Sequence, residues 1–167
     1  GRKEIEDFGI ANIPTPLNRF QLDKRAVRQP ASCAEDWAHV QAVCAELLTQ
    51  AQERFWSLRP TPMPQAAAPG RPGVYALWGG SPQHVIYIGE SSSLRDRHKT
   101  HCTQTYFSAL RRNVGTNLLG FELHEKRGKR RYFTDDEERS LNAFLSQCQY
   151  QCMEVSIGRL ELEEHLI

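Results

Sequence analysis

Two short runs of strand-forming residues, separated by a turn, constrain this chain more than any other feature. The first is Gly73-Val74-Tyr75-Ala76-Leu77-Trp78 and the second is His84-Val85-Ile86-Tyr87-Ile88-Gly89, with Gly79-Gly80-Ser81-Pro82 between them. Runs of β-branched and aromatic residues on either side of a Gly/Ser/Pro turn read as a β-hairpin. Tyr75 and Tyr87 then lie on neighbouring strands with the parity to face the same side of the sheet.

What precedes the hairpin differs in kind. Residues 1–32 are polar and broken by Pro14, Pro16 and Pro30, and read as a lead-in arm. From Cys33 to Leu58 the apolar residues Trp37, Val40, Cys44, Leu47, Leu48, Ala51 and Phe55 recur at helical spacing after a capping Ser32, which predicts a helix packing that face on the rest of the domain. Pro60, Pro62, Pro64, Pro69 and Pro72 then make residues 61–72 a stiff, extended linker between an N-terminal helical part, residues 1–60, and a domain over residues 73–167.

After the hairpin, Ser93 can cap a helix from Leu94 to about Cys102, and a second helical piece covers Phe107 to Asn113. Leu118 to His124 reads as a third strand, Glu125 to Arg131 as a basic β–α connection, and Thr134 as the cap of a helix with acids in its first turn. Cys152 to Ile157 is a fourth extended segment, and Leu160 to Ile167 begins a final helix. The fold class is therefore α+β: a small antiparallel sheet flanked by helices, with an N-terminal helical extension.

Composition excludes some functions. With 21 Lys and Arg against 20 Asp and Glu, the net charge of +1 does not suit a protein that coats nucleic acid wholesale. The charge is unevenly placed, however. Arg95, Arg97, Lys99, Arg111, Arg112, Lys126, Arg127, Lys129, Arg130 and Arg131 fall within 37 residues and can form a local basic face. The five cysteines are scattered without zinc-site spacing. Cys148 and Cys152 have the spacing to share a helical face but read as a pair of small core residues, and free thiols suit the cytoplasm. No apolar run approaches the ~20 residues a membrane span needs.

The chemistry-bearing residues sit at fixed offsets from the hairpin. Gly73-Val74-Tyr75 and Tyr87-Ile88-Gly89 are followed by Ser93-Leu94-Arg95-Asp96-Arg97-His98-Lys99-Thr100-His101, and the chain ends Leu162-Glu163-Glu164-His165-Leu166-Ile167. In this order the elements resemble the GIY-YIG nuclease family, over residues 73–167. There the two tripeptides occupy adjacent antiparallel strands, an Arg and a His four residues apart project from the first helix, and a Glu-x-x-Leu-Ile segment supplies a metal ligand. Val74 stands where the family has Ile. Family members usually continue to a Pro-x-Leu-Asn segment whose Asn supports the site, and the sequence ends at Ile167 before it.

The resemblance implies a metal-dependent DNA endonuclease with Tyr75, Tyr87, Arg97, His101 and Glu163 in its active site. Phosphodiester hydrolysis suits these residue types. Glu163 can hold Mg²⁺, with Mn²⁺ as a substitute, since both take oxygen ligands together with phosphate. Arg97 offers a planar fork that matches phosphate. The resemblance implies Tyr75 as general base. The residues alone leave the base open among Tyr75, Tyr87 and His101, and a phenol needs nearby positive charge to lower its pKa from ~10. Basic residues Arg95, Lys99, Arg111, Arg112, Lys126, Arg127, Lys129, Arg130 and Arg131 are the candidate contacts to DNA, duplex rather than single-stranded.

Each residue also has an ordinary reading. Tyr75 and Tyr87 could be core tyrosines, Arg97 a solvated helix arginine, His101 a C-terminal helix cation, and the basic segment a solvated loop. Glu163 competes with Glu161 and Glu164, with Glu137 and Glu138 as fallbacks. Two rival functions remain: a non-catalytic nucleic-acid-binding module on the same fold, and a protein-interaction domain using the Trp37–Phe55 helix. Restriction, repair and mobile-element homing would all use the same chemistry.

Overall fold

The hairpin forms, and it lies inside a four-stranded sheet. A computed structural model describes residues 30–167 apart from Ser81, Pro82 and Arg127, and at residues 30–34, Lys126, Lys129 and Arg130 the backbone alone. Most of the expected lead-in arm, the Ser32 cap and the Ser81-Pro82 part of the turn lie outside the described residues or side chains. Helix α1 runs Pro30–Ser57, β1 is Thr61–Pro62, and a single 3₁₀ turn covers Met63–Gln65. The hairpin is β2 (Gly73–Gly79) and β3 (His84–Ser91), followed by α2 (Leu94–Thr103), α3 (Ala109–Asn113) and a π-turn at Val114–Leu118. A two-stranded ribbon, β4 (His124–Lys126) with β5 (Lys129–Tyr132), leads to α4 (Asp135–Gln147), β6 (Gln149–Glu154) and α5 (Arg159–Leu166). The sheet order is β1-β6-β2-β3, antiparallel throughout.

Strand β2 lies between β6 and β3, and that position explains its sequence: both faces are covered, so nearly every residue is apolar. Tyr75 and Leu77 face one core with Tyr87 and Tyr150, closed by Leu94 of α2, Leu110 of α3, and Leu141 and Leu145 of α4. Val74 and Ala76 face a second core with Ile88, closed by Phe55 of α1 and by Leu162 and Leu166 of α5. Gly73 is required by the pairing with β6, because a Cβ there would lie 2.1 Å from the Met153 carbonyl oxygen.

Four expectations need correction. Residues 61–72 are not a spacer. Thr61 and Pro62 pair with Tyr150 and Gln149 at the sheet edge, and Met63 and Ala68 are buried in the first core. The carbonyls of Arg71 and Pro69 accept the first N–H groups of α2, from Leu94 and Arg95, each at 2.9 Å. Secondly, α1 buries only the last part of its apolar face. Phe55 is fully buried and Leu48, Ala51 and Trp56 pack around it, whereas Leu47 is 59% exposed and Trp37, Val40 and Cys44 are also exposed. Packing divides the chain into units Gly1–Cys44 and Ala45–Ile167, and both cores belong to the second.

The third correction concerns Leu118 to His124. Leu118 ends the π-turn, and β4 begins only at His124. The basic stretch is thus a hairpin of its own, turning at Gly128 with φ 74°, where glycine has no Cβ to clash. Finally, Cys148 and Cys152 do not share a helical face. Helix α4 stops at Gln147, Cys148 is its C-cap and Cys152 lies in β6.

Candidate active site

The register of the hairpin places Tyr75 opposite Gly89 and Leu77 opposite Tyr87. The two phenol rings lie on one face, stacked with centroids 6.1 Å apart and 18° between planes. Gly89 has a spatial reason to be glycine: a Cβ there would meet the Tyr75 hydroxyl at 2.5 Å. On its other side the Tyr75 ring stacks on Tyr150 at 5.5 Å.

Helix α2 crosses this face. Ser93 caps it by accepting the Asp96 N–H, and Leu94 anchors its first turn in the core. Arg97 and His101, four apart, project from one side. His101 is fully buried, with Nε2 2.9 Å from the Tyr75 hydroxyl and Nδ1 2.7 Å from Ser108 Oγ. Burial, then the charges of Arg97 and neighbouring residues, push its pKa down to about 3, so the ring is neutral at physiological pH. The reading of His101 as a solvated C-terminal cation is therefore excluded. Arg97 is half-buried and its charge acts on Tyr75, Tyr87 and His101, yet it has no ion-pair or side-chain hydrogen-bond partner among the described residues. A guanidinium held beside two phenols without an anion suits an incoming phosphate.

Glu163 lies on α5, half-buried, and its charge reaches both Tyr75 and Tyr87. Desolvation, then repulsion from Glu90 and Glu164, raises its pKa. Neighbouring Glu90 is ion-paired to Arg159, one helical turn before Glu163, which ties the start of α5 to the end of β3. The fallback carboxylates are used otherwise. Glu137 closes the capping box of α4 with Thr134, and Glu138 accepts from buried Arg111.

Tyr75 is also held the wrong way for a base acting alone. Burial, then repulsion from Tyr87, outweighs Arg97 and keeps its pKa above the ordinary phenol value. Burial likewise raises that of Tyr87. No group of three or more His, Cys, Asp or Glu side chains that could hold a metal occurs among the described residues. One carboxylate of raised pKa among acidic neighbours, completed by phosphate and water, is nevertheless a donor set that Mg²⁺ takes.

The basic residues divide. Arg111 is a correction: it is 1% exposed and binds Glu138, Asn142, Thr105 and the His101 carbonyl, so it cannot contact DNA. Sequence alone could not separate it from Arg112 next to it. Arg112 donates to the carbonyls of Thr105 and Tyr106 and remains half-buried, within electrostatic reach of Tyr87 and Arg131. Arg131 is exposed and sits 5.4 Å over the Tyr106 ring, which also packs against Tyr132 and the exposed Phe107. Arg95 and Lys99 are exposed on α2. Lys126, Lys129 and Arg130 lie on the ribbon, and Arg127 is outside the described residues. Ser108, Tyr150 and the Glu90–Arg159 pair were not foreseen; only the preference of serine for helix N-caps left any trace of Ser108 in the sequence.

Comparison with known families agrees with this geometry. The GIY-YIG catalytic domain matches residues 75–167, more than half of the chain, and takes in all five of the residues singled out as catalytic. No curated protein and no solved structure matches. The small antiparallel sheet flanked by helices suits that domain, and the chain belongs to the GIY-YIG family of nucleases.

Proposed function

We propose that this chain is a Mg²⁺-dependent endonuclease that hydrolyses phosphodiester bonds in duplex DNA. The observation that carries the reading is Arg97, free of any anion among the described residues and close to a paired Tyr75 and His101, with Glu163 in electrostatic reach of both phenols. Arg97 holds the nonbridging oxygens and stabilises the charge that grows on them. Tyr75 accepts the proton of the attacking water, and Tyr87 and His101 support it. Glu163 would hold Mg²⁺ or Mn²⁺, which supplies charge neutralisation at the phosphate and the positive potential that Tyr75 needs beyond Arg97. Arg112, Arg131, Lys126, Lys129 and Arg130 would receive the DNA backbone along the ribbon, with Arg95 and Lys99 extending the contact.

Residues 73–167 would carry the reaction. Residues 1–60 would act in docking or specificity, a reading supported by the exposed Trp37 and Val40. Among the described residues no helix is long and apolar enough to cross a membrane, and Cys44, Cys102, Cys148 and Cys152 are free thiols; both support a place in the cytoplasm. Restriction or other defence against foreign DNA is the setting we favour by analogy. Cleavage of supercoiled plasmid with Mg²⁺, and with Mg²⁺ plus chelator, tests the activity. Binding without cleavage in both would leave a non-catalytic nucleic-acid-binding module.

A further inference from the structure

A neutral histidine carries one N–H, and its position decides what His101 can do. With the proton on Nδ1, the Nε2 lone pair would accept the Tyr75 proton. With the proton on Nε2, His101 donates to the Tyr75 oxygen instead. The residues around the ring select between the two.

Ser108 is fully buried and faces two groups, the Arg111 backbone N–H at 3.0 Å and His101 Nδ1 at 2.7 Å. The Arg111 amide can only donate, so it occupies one lone pair of Oγ. Its direction is fixed by the first turn of α3, which Ser108 caps. The Ser108 hydroxyl proton then has a single acceptor among the described residues, Nδ1. A protonated Nδ1 would leave that hydroxyl proton buried and unpartnered, which folded proteins avoid.

We propose that Ser108 is a positioning residue of the site: by donating to Nδ1 it fixes His101 as the Nε2–H tautomer, so that His101 donates to Tyr75 and never takes its proton. The catalytic consequence rests on the nuclease reading; the tautomer does not. The protons of Ser108 and His101 then point the same way, and a phenolate formed at Tyr75 is stabilised directly by the His101 N–H. The base is a phenol, and His101 holds its proton throughout.

Long-range ¹H–¹⁵N spectra of the full chain, labelled at histidine, read the tautomer at pH 7, with His101 assigned by the signals that disappear in His101→Asn. Nδ1 is expected in the unprotonated range and Nε2 in the protonated range; a protonated Nδ1 overturns the proposal. Ser108→Ala should give a mixture of tautomers and slow plasmid cleavage on the order of 10-fold or more, since a mis-set histidine is costly in other enzymes. Ser108→Thr should restore both the pure tautomer and the rate. A pure Nε2–H form in Ser108→Ala would remove Ser108 from its role. If that variant does not fold, the wild-type and Ser108→Thr spectra still decide the assignment. Wild-type chain that cuts no DNA but shows the Nε2–H signature would end the nuclease reading and leave the tautomer standing.

Discussion

At the scale of single residues, the site places opposing forces on its ionisable groups. Glu163 has its pKa raised by desolvation and by Glu90 and Glu164. A carboxylate whose folded pKa exceeds its unfolded one favours folding most while protonated, and that contribution is lost as pH rises through the folded pKa. Ionisation of Glu163 therefore disfavours the fold when no cation is bound. Glu163→Gln should melt no lower than wild type in chelator, and higher if that effect is large. Added Mg²⁺ should raise the melting temperature of wild type alone, by mass action, while Glu163→Gln abolishes cleavage. Equal Mg²⁺ stabilisation of both proteins in a thermal-shift titration would move the metal away from Glu163.

The pH profile distinguishes the candidate bases. His101, at about 3, does not titrate between pH 6 and 9, whereas both phenols lie above their ordinary value. A base works when deprotonated, so the cleavage rate should climb across that whole range without an inflection near 6.5. Tyr75→Phe should lose most of the rate at every pH, more than Tyr87→Phe. A plateau above pH 7 in the measured profile would return the role to a histidine. Arg97→Ala should slow cleavage on the order of 10²-fold or more, and Arg97→Lys should recover little of it, because an ammonium lacks the planar fork. That Tyr75, Tyr87, Arg97 and His101 come together was legible in the sequence because spacing carries it: strand parity for the tyrosines, helical i,i+4 for Arg97 and His101; Glu163 rested on the resemblance alone. Arg111 was not, since adjacent arginines on a helix look alike until tertiary packing buries one. Ser108 was hidden for the same reason, its helix-capping pattern saying nothing of the ring on its other side.

Among the elements, those with a repeating pattern were legible and those shaped by their neighbours were not. The Thr134 cap and α4 followed from local chemistry. The region after α3 did not, because its π-turn comes from packing: Gly115 lies so close to the Phe133 ring that a Cβ would meet it at 2.4 Å. The apolar stripe of α1 could not say how far the sheet extends beneath it. Phe55→Ala should therefore cost about 3–5 kcal/mol of stability, while Leu47→Ala should stay within about 0.5 kcal/mol; chemical denaturation reads both, and similar values would contradict the packing described. Neutralising Lys129, Arg130 and Arg131 together should weaken DNA binding and reduce the log–log salt slope by roughly one unit for each phosphate that no longer meets a cation. An unchanged slope would make the ribbon a bystander.

For the molecule as a whole, the boundary of the folded unit differs from the one the motifs suggest. Residues 73–167 contain every catalytic candidate, yet Phe55, Met63 and Ala68 belong to the two cores and β1 borders β6. A chain starting at Ala45 should fold and cleave, whereas one starting at Gly73 should lose cooperative melting; circular dichroism of the two truncations tests this, and a cooperative transition in the shorter one would refute it. The motifs could not reveal the boundary because prolines before a domain read as a spacer whether or not something binds their carbonyls.

Those carbonyls give the proline-rich stretch a one-sided chemistry. The start of a helix has more N–H groups than it can use, and a run of prolines has more carbonyls than N–H groups. Joined through Pro69 and Arg71 to the first turn of α2, the two imbalances cancel, and the carbonyl of Pro72 does the same for Val155 at the end of β6. The composition that looked like a tether thus works as a complement: Pro69 and Pro72 offer their carbonyls beside the helix that holds Arg97 and His101 and bring no N–H group of their own.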